Sequence, residues 1–529
     1  MKSLNIVAKK IGGVIYPLNE DIVSKNIENI TVKDEMGWNI IRRGLTFIFL
    51  VACKKIDENA DVKVMHSLNK GLYCKVISNH IFTAKEIKNQ MEDLIKKDLP
   101  FKNVRTTKEE LLELLQKLNP HKDKYYLFAY KDEEDGEIAE LNQLDGVCDY
   151  FYGILPPSTE YCKVFDLKDV AGKKNHFVLL PQDRENPDKV IPLQNLTKIA
   201  EVYEERKHWA EISGVNLLSD INKIVVDKAH KDIIEITEAL HERKIADIAT
   251  KVAESKKKVV LIAGPSSSGK TTFCHRLAIQ LRTHGLKPKT ISVDDYFRDN
   301  KTLPLQENGL PDFEDISTID LPLLNSDMKK LLNGEEIECP TFNFKEGKPE
   351  YLGHKMVLKD DEILMLEGIH ALNPEMTYDV PEDSKFYIYI SALTQVNLDN
   401  HNRISTTDLR FCRRLVRDYY YRGASPEDTF FLWINVRKGE KKNIFPYQES
   451  GECVFNSELS YEINVLKKFA VPLLKQIDKN KHPEFYPKAQ ELLEMFSYVK
   501  TLEDLSFIPP NSILKEFLPP HAKGETHNE

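Results

Sequence analysis

The segment 264–272, GPSSSGKTT, holds the residues of this 529-residue chain whose types and spacing most clearly serve chemistry. It matches the pattern G-x-x-x-x-G-K-[ST] in full, with the apolar run VVLIA before it and FCHRLAIQL after it. Between a strand and a helix, such a loop lets backbone N–H groups and the helix N-terminus surround a chain of phosphates. The pattern predicts binding of a nucleoside triphosphate, ATP first, through Gly264, Pro265, Ser266, Ser267, Ser268, Gly269, Lys270, Thr271 and Thr272.

Two side chains of this segment have separate tasks. Lys270 is expected to reach the β- and γ-phosphates, and the Thr271 hydroxyl is expected to ligate Mg²⁺. The alternative interpretation, a glycine- and serine-rich turn with a chance lysine, does not account for the flanking strand and helix patterns. Because ATPases, GTPases and kinases all use such a loop, the group that receives the phosphate has to be sought at other strand ends.

Carboxylates follow two other apolar runs. TISVDDYF carries Asp294 and Asp295, and EILMLEG ends in Glu367. Ligands of open α/β sheets lie at the carboxyl ends of the strands. A carboxylate there can accept the proton of an attacking hydroxyl or hold Mg²⁺. Each acid alone can equally be a helix cap or a solvated loop residue, so the prediction depends on their occurring together.

A run of arginines follows later in the chain. Arg410, Arg413, Arg414 and Arg417 are spaced for one helical face, and Arg422 lies just beyond. Guanidinium groups on one face suit bidentate phosphate binding, so this helix is predicted to close over ATP and stabilise charge that develops in transfer. The alternative is an ordinary basic helix paired with acids such as those at positions 408 and 418.

The elements that must position these residues are predicted from residue 256 onwards, where strand and helix patterns alternate. The strand candidates are KVVLIAG, KTISVDD, EILMLEG and KFYIYIS. Nearly unbroken apolar runs are typical of parallel strands that are covered on both faces. The fold class predicted for residues 256–500 is therefore α/β, a doubly wound parallel sheet, with a C-terminal tail over 501–529.

The first half of the chain reads differently. Residues 1–36 are predicted to be a small β-rich segment, residues 37–195 an α+β domain and residues 196–255 a helical connector. In the α+β domain, WNIIRRGLTFIFLVACKKI predicts a buried helix. Its strand candidates are VKVMHSL, GLYCKVI, YYLFAY, DYFYGIL and HFVLLP.

Composition limits the partners and the compartment. The net charge of −9 is spread along the chain and does not suit a DNA-binding protein. The apolar run LTFIFLVAC is too short to cross a bilayer, and no signal-peptide pattern precedes it, so no membrane association is expected. Eight scattered cysteines without a CxxC pair indicate reduced thiols and a cytoplasmic protein.

Four segments taken together resemble the uridine kinase/phosphoribulokinase family of P-loop kinases: GPSSSGKTT, SVDDYFRD, LMLEGIHALNP and RRLVRDYYYRG. The resemblance implies an ATP- and Mg²⁺-dependent kinase that phosphorylates a hydroxyl of a small molecule, a uridine- or cytidine-like nucleoside first. It makes Asp294 the catalytic acid and places Glu367, with Thr271 and Asp294, at the metal. It also implies catalytic lid roles for Arg413 and Arg417, ATP binding by Arg414 and Arg422, and acceptor binding by Tyr296, Glu314, Phe342 and Phe344.

The whole chain is similar to a long bacterial-type subgroup of nucleoside kinases with a threonyl-tRNA synthetase-like N-terminal region. RRGLTFIFLVA, HSLNKGLYCKV and DYFYGILPPSTEY carry this resemblance, and residues 1–36 match only the latter half of a TGS domain. The chain departs from the patterns of these families at two places. Glu314 replaces the aspartate of the acceptor segment and no histidine follows it, and the N-terminal region lacks the synthetase's metal ligands.

A second interpretation therefore stays open. It is an ATP-binding regulatory or RNA-associated protein that uses the synthetase-like half as a binding module. The identity of the acceptor, the formation of a homo-oligomer and the role of residues 1–195 are not decided by the sequence.

Overall fold

The computed structural model describes most of the chain, and the tail 523–529 lies outside the part that it describes. The described residues are 5–20, 22, 24, 26–68, 70–118, 123–132, 139–193, 197–303, 312–394 and 396–522.

The N-terminal part is α+β, with three small antiparallel sheets. The elements in chain order are β1 (Ile6–Ile11), β2 (Val14–Pro17), β3 (Glu28–Thr31), α1 (Glu35–Ile56), β4 (Asp61–Leu68), β5 (Gly71–Ile77), α2 (Ala84–Lys96), β6 (Lys102–Thr106), α3 (Lys108–Leu118), α4 (Asp123–Ala129), β7 (Ala139–Leu144), β8 (Val147–Asp149), β9 (Phe165–Asp169) and β10 (His176–Pro181). The strand orders of the three sheets are β2-β1-β3, β4-β5-β10-β9 and β6-β7-β8.

Helix α1 confirms the helix that the sequence predicts in this region. By length and composition alone it could cross a membrane, but 78% of its most apolar 18-residue window is buried inside the protein. Phe47, Ile48 and Phe49 are fully buried in the core of the N-terminal part. In this structure α1 is therefore a core helix.

Two strand predictions in the N-terminal part are wrong. YYLFAY lies mostly in helix α4, where Leu127 and Phe128 are buried against neighbouring helices. DYFYGIL contributes only Asp149 to a strand, and the rest is irregular although Tyr150 and Phe151 are buried. Both runs are short, and a short apolar run does not distinguish a strand from a buried helix or loop.

The second half has three helices that precede an α/β arrangement with a parallel sheet. Its elements are α5 (Thr197–Ser213), α6 (Leu218–Val226), α7 (His230–Ser255), β11 (Val259–Ala263), α8 (Lys270–Thr283), β12 (Lys287–Ser292), α9 (Leu321–Leu332), β13 (Ile337–Asn343), β14 (Lys348–Met356), β15 (Glu362–Glu367), β16 (Lys385–Ser391), α10 (Thr406–Arg422), α11 (Pro426–Gly439), β17 (Cys453–Asn456), α12 (Glu462–Leu474) and α13 (Tyr486–Ser497).

The central sheet of the α/β domain has the strand order β12-β15-β11-β16-β17, and all neighbours are parallel. Alternate residues of β11 enter two different apolar cores, Val260 with α7 and α8, and Leu261 with α5 and α9. The sheet is thus covered on both faces, as the unbroken apolar runs predict. The four predicted strands are present, and the short β17 is a fifth that the sequence did not reveal.

The two halves share a buried polar network. Lys124 contacts both Asp149 and the Nδ1 atom of His401, and the amide of Asn397 donates to the carbonyl of Val64 at 2.8 Å. His401 and Asn397, the partners from the second half, lie in the loop that immediately precedes α10. The N-terminal half therefore helps to hold the entry to the arginine-bearing helix.

The C-terminal segment 512–518 differs from the predicted tail. Its 3-10 helix, Ile513–Phe517, has Ile513, Leu514 and Phe517 fully buried. Among the described residues after this segment, Pro519 is also buried, and His521 is exposed. This segment packs against the start of α8, where the phosphate loop ends.

Candidate active site

The phosphate loop lies between β11, in the middle of the sheet, and α8. An ideal Cβ on Gly264 would lie 2.1 Å from the carbonyl oxygen of Ile390, and one on Gly269 would lie 2.5 Å from the Cγ2 atom of Ile513. Gly269 also has φ of +82°, which favours glycine. Both glycines are therefore required by the local geometry. Helix α8 then buries Phe273, Leu277 and Leu281 against the sheet.

Lys270 occupies the position that the sequence predicts, at the first turn of α8. Its Nζ atom donates to the carbonyl of Pro265 at 3.2 Å, so the side chain curls back over the loop. Burial lowers the pKa of Lys270, while the charges of Glu367, Asp294 and Glu516 oppose that shift. The charges of these three carboxylates thus act on the ammonium group at the place where the phosphates are expected.

Thr271, Glu367 and Asp294 supply oxygen atoms beside Lys270. The Thr271 hydroxyl donates to Oε1 of Glu367 at 3.4 Å. Burial raises the pKa of Glu367 to about 7, and limited hydration raises the pKa of Asp294 against the charge of Lys270. Asp294 lies in the 3-10 helix Val293–Tyr296 after β12.

This oxygen set fits Mg²⁺. Mg²⁺ usually binds through one or two carboxylates plus water and substrate phosphates, not through an all-protein cage. In the part of the chain that the structure describes, no group of three or more His, Cys, Asp or Glu residues forms such a cage. Thr271, Glu367 and Asp294 are the residues that would hold the ion.

The arginines of α10 do not share one role. Arg410 donates from Nε to the carbonyl of Ser266 at 2.9 Å and pairs with Glu440. Arg413 is fully buried, donates from Nε to Glu462 at 3.0 Å and reaches the carbonyl of Ser457 at 2.9 Å. Both guanidinium groups therefore fasten α10 beneath the phosphate loop. For Arg413 these contacts add a supporting role in the fold, and its catalytic lid role stays a prediction.

The remaining arginines surround one acid, Asp418. Arg414 lies 3.0 Å from it and also donates to the Ser266 hydroxyl at 2.8 Å, and Arg417 lies 2.7 Å from it. The Arg422 side chain is 57% exposed and 3.6 Å from the same carboxylate. Pairing with the acid at position 418, the alternative raised from sequence, is thus present. The charges of Arg417 and Arg422 also act on Asp294, which is consistent with a role beside the catalytic acid. That role in phosphoryl transfer stays a prediction.

A test of the scaffold role uses Arg413→Lys. Lysine keeps the positive charge opposite Glu462, but its ammonium group cannot replace the planar guanidinium, which donates to Glu462 and to the carbonyl of Ser457 at the same time. We therefore expect a loss of roughly 2 kcal/mol in the free energy of unfolding. Chemical denaturation measures this loss. The exposed Arg422→Lys is the control and is expected to match the parent. Equal stability of both variants contradicts the scaffold role.

The predicted acceptor residues fall into two groups. Tyr296 is buried and its hydroxyl donates to Asp327 at 3.2 Å, and Phe342 is buried, so both contribute to packing. Phe344 is 67% exposed with its ring centroid 5.1 Å from that of Phe342. Glu314 has a buried Oε2 atom without a hydrogen-bond partner among the described residues. Burial raises its pKa to about 7, opposed by the charge of Arg414.

Sequence reasoning missed two residues of the site. His370 is 1% exposed; its ring interacts with the backbone of Glu314, and the remaining ring nitrogen has no hydrogen-bond partner among the described residues. Burial lowers its pKa to about 4, and Lys270 adds to the shift. Its position three residues after Glu367 was the available signal. Glu516 accepts a hydrogen bond from the Thr272 hydroxyl at 2.8 Å, and no sequence signal connects residues 244 positions apart.

The raised pKa of Glu367 predicts a pH-dependent stability effect. Ionisation costs more in the folded state than in the unfolded chain, so the destabilisation begins above the ordinary pKa of 4.5 and is complete above about 7. Without nucleotide or Mg²⁺, Glu367→Gln is expected to be more stable than the parent by about 3 kcal/mol above pH ~7.5 and equal to it near pH ~4.

Thermal and chemical denaturation at the two pH values measure this difference. Glu375→Gln, at an exposed position following the same strand, is the control and is expected to match the parent at both pH values. A Glu367→Gln protein that is less stable than the parent at the higher pH contradicts the assignment.

Comparison with known proteins concerns the second half of the chain. Residues 259–464 match the model of the Phosphoribulokinase / Uridine kinase family. A uridine kinase of Lactobacillus helveticus is 29% identical over 180 residues, which are 34% of this chain and 76% of that protein. A uridine kinase of Staphylococcus haemolyticus is also 29% identical over 180 residues, with 34% and 77% covered.

Among solved structures, a putative fructose transport system kinase from Silicibacter sp. TM1040 has a TM-score of 0.31 and 18% identity, covering 40% of this chain and 98% of that one. That TM-score is too low to support an argument. The family match leaves the resemblance of the N-terminal half to a synthetase as a prediction. It does show that residues 259–464, with the phosphate loop, both strand-end acids and α10, are similar to the phosphoribulokinase and uridine kinase family, which supports a phosphotransferase.

Proposed function

We propose that the protein is an ATP-dependent kinase that transfers the γ-phosphoryl group to a hydroxyl of a small molecule, a nucleoside first. The observation that carries this proposal is the arrangement of Lys270, Thr271, Glu367 and Asp294 at the carboxyl ends of three neighbouring parallel strands. A simple nucleotide-binding switch needs the lysine and a metal ligand. A second acid beside them is what an acceptor hydroxyl requires.

ATP bound with Mg²⁺ supplies the phosphoryl group and neutralises part of its charge. The N–H groups of the loop and of the first turn of α8 hold the phosphates, and Lys270 bridges the outer two. Asp294 accepts the hydroxyl proton as the acceptor oxygen bonds to phosphorus and the bond to the β-phosphate oxygen breaks. Arg417 and Arg422 add positive charge beside Asp294.

The acceptor side supports an uncharged, hydroxyl-rich molecule. Glu314 and the neutral imidazole of His370 both have hydrogen-bonding atoms without partners among the described residues, and Lys270 acts on both groups. The exposed Phe344 beside Phe342 offers an aromatic surface on which a base can stack. Such a set suits a nucleoside better than a sugar phosphate, because Arg410 and Arg413 are already paired with carboxylates.

The test is a panel of nucleosides and sugar phosphates incubated with γ-labelled ATP. We expect label in a nucleoside monophosphate, and loss of that product in Lys270→Ala. Label in sugar bisphosphates alone overturns the nucleoside acceptor. The absence of transfer to every acceptor, with ATP still bound, favours the regulatory alternative.

That alternative has one observation of its own, the buried network of Lys124, Asp149 and His401 that joins the N-terminal half to the entry of α10. Through it, binding of RNA or of a second copy of the chain to the N-terminal half can act on the kinase half. The proposed compartment is the cytoplasm, which suits ATP use and the eight free cysteines.

A further inference from the structure

The C-terminal segment 512–518 is fastened to the phosphate loop by several contacts. Ile513 lies directly over Gly269, as the 2.5 Å approach to an ideal Cβ there shows. The guanidinium carbon of Arg413 lies 4.9 Å from the ring centroid of Phe517, and the Tyr421 hydroxyl donates to the carbonyl of Leu518 at 2.7 Å. The segment lies outside residues 259–464, which match the family model.

Glu516 is the one acid of this segment, and it faces the first turn of α8. It accepts a hydrogen bond from the hydroxyl of Thr272 at 2.8 Å, and Thr272 directly follows Thr271, the last residue of the phosphate-loop motif. Its charge acts on Lys270, the phosphate-binding cation, and on Glu367. The carboxylate is half-buried, so solvent screens its field less than that of a surface acid.

We propose that Glu516 is a specificity-determining residue of the nucleotide site, which disfavours metal-free nucleotide and thereby selects the magnesium complex of ATP. The inference rests on the proposed ATP site. A fixed negative charge beside the phosphate loop repels bound phosphates in proportion to their charge. Metal-free ATP carries about twice the negative charge of its Mg²⁺ complex, so the same carboxylate disfavours it about twice as strongly.

The hydrogen bond adds to this effect. The Thr272 hydroxyl has one proton, and Glu516 accepts it, so that proton is not available to a phosphate oxygen. Glutamate at this position thus removes a donor from the phosphate site as well as adding a charge. Both the repulsion by the carboxylate and the loss of the Thr272 donor weaken nucleotide binding. They weaken it least when Mg²⁺ neutralises part of the charge of the nucleotide.

Isothermal titration of the full chain with ATP, once with EDTA and once with Mg²⁺, tests the proposal. Glu516→Gln keeps an acceptor for Thr272 and nearly the same shape while removing the charge. We expect it to bind metal-free ATP roughly tenfold more tightly than the parent and the Mg²⁺ complex roughly threefold more tightly. The difference is expected to shrink at high salt. Glu516→Asp keeps the charge and is expected to retain the parent's preference.

Glu503→Gln is the matched control, because Glu503 belongs to the same C-terminal region and pairs only with the half-exposed Lys468 at 2.6 Å among the described residues. It is expected to bind both forms like the parent. Unchanged or weaker binding of metal-free ATP by a folded Glu516→Gln protein overturns the proposal. Failure of the proposed function is seen separately, since Lys270→Ala in the same titration tests the ATP site itself and the labelled panel tests transfer.

Discussion

Replacing Lys270 by alanine is expected to lower phosphoryl transfer about 10³-fold while the protein stays folded. The ammonium group is the cation that the phosphate-loop motif assigns to the outer phosphates, and the charges of Glu367, Asp294 and Glu516, which act on it, would then be left without its compensation. The fold should survive because the described contact of Nζ is one hydrogen bond to the carbonyl of Pro265. Transfer from labelled ATP and circular dichroism measure the two outcomes.

A matched variant separates this loss from a general effect of removing lysines. Lys287→Ala, at the start of β12, removes a side chain that is 65% exposed and paired with Asp361 at the opposite end of the sheet from the phosphate loop. It is expected to transfer phosphate like the parent. Turnover near the parent's in a folded Lys270→Ala protein contradicts the assignment of the loop as a phosphate site.

The parts of the α/β domain that the sequence predicts are those governed by local pattern. A run such as VVLIA is buried on both faces, so its composition alone indicates a central parallel strand. The phosphate-loop motif carries its own conformation, because Gly264 and Gly269 occupy positions where a Cβ would clash. The acids at 294 and 367 follow from where such strands end.

The parts that the sequence does not predict depend on pairing between distant positions. The arginine spacing shows that Arg413 and Arg417 share a helix face, but it does not show that Glu462 lies opposite Arg413. That partner gives Arg413 a supporting role in the fold that the spacing does not predict. The same holds for Glu516, whose position beside Thr272 depends on the packing of Ile513 and Phe517 at the end of the domain.

Asp294→Asn is expected to be the most selective of these substitutions, because it should lower phosphoryl transfer and leave the fold and ATP binding intact. Asparagine is nearly isosteric, so the 3-10 helix after β12 and the shape of the site should persist. It cannot take the hydroxyl proton and is a poorer partner for Mg²⁺, so transfer should fall about 10²-fold or more. ATP should still bind, because the phosphate loop from Gly264 to Thr271 is untouched. Initial rates with labelled ATP and nucleotide titration measure the two effects.

Asp295→Asn is the control that the structure itself supplies. Oδ1 of Asp295 accepts the backbone N–H of Phe342 at 3.2 Å, and an asparagine oxygen can accept the same hydrogen bond. The two neighbours thus differ in their surroundings: the charges of Lys270, Arg417 and Arg422 act on Asp294, whereas the carboxylate of Asp295 holds the backbone of β13. If Asp295→Asn is inactive and Asp294→Asn is active, the catalytic acid is the neighbour. If both retain full transfer, no acid after β12 takes the proton, and the site then binds ATP for a purpose other than phosphorylating a hydroxyl.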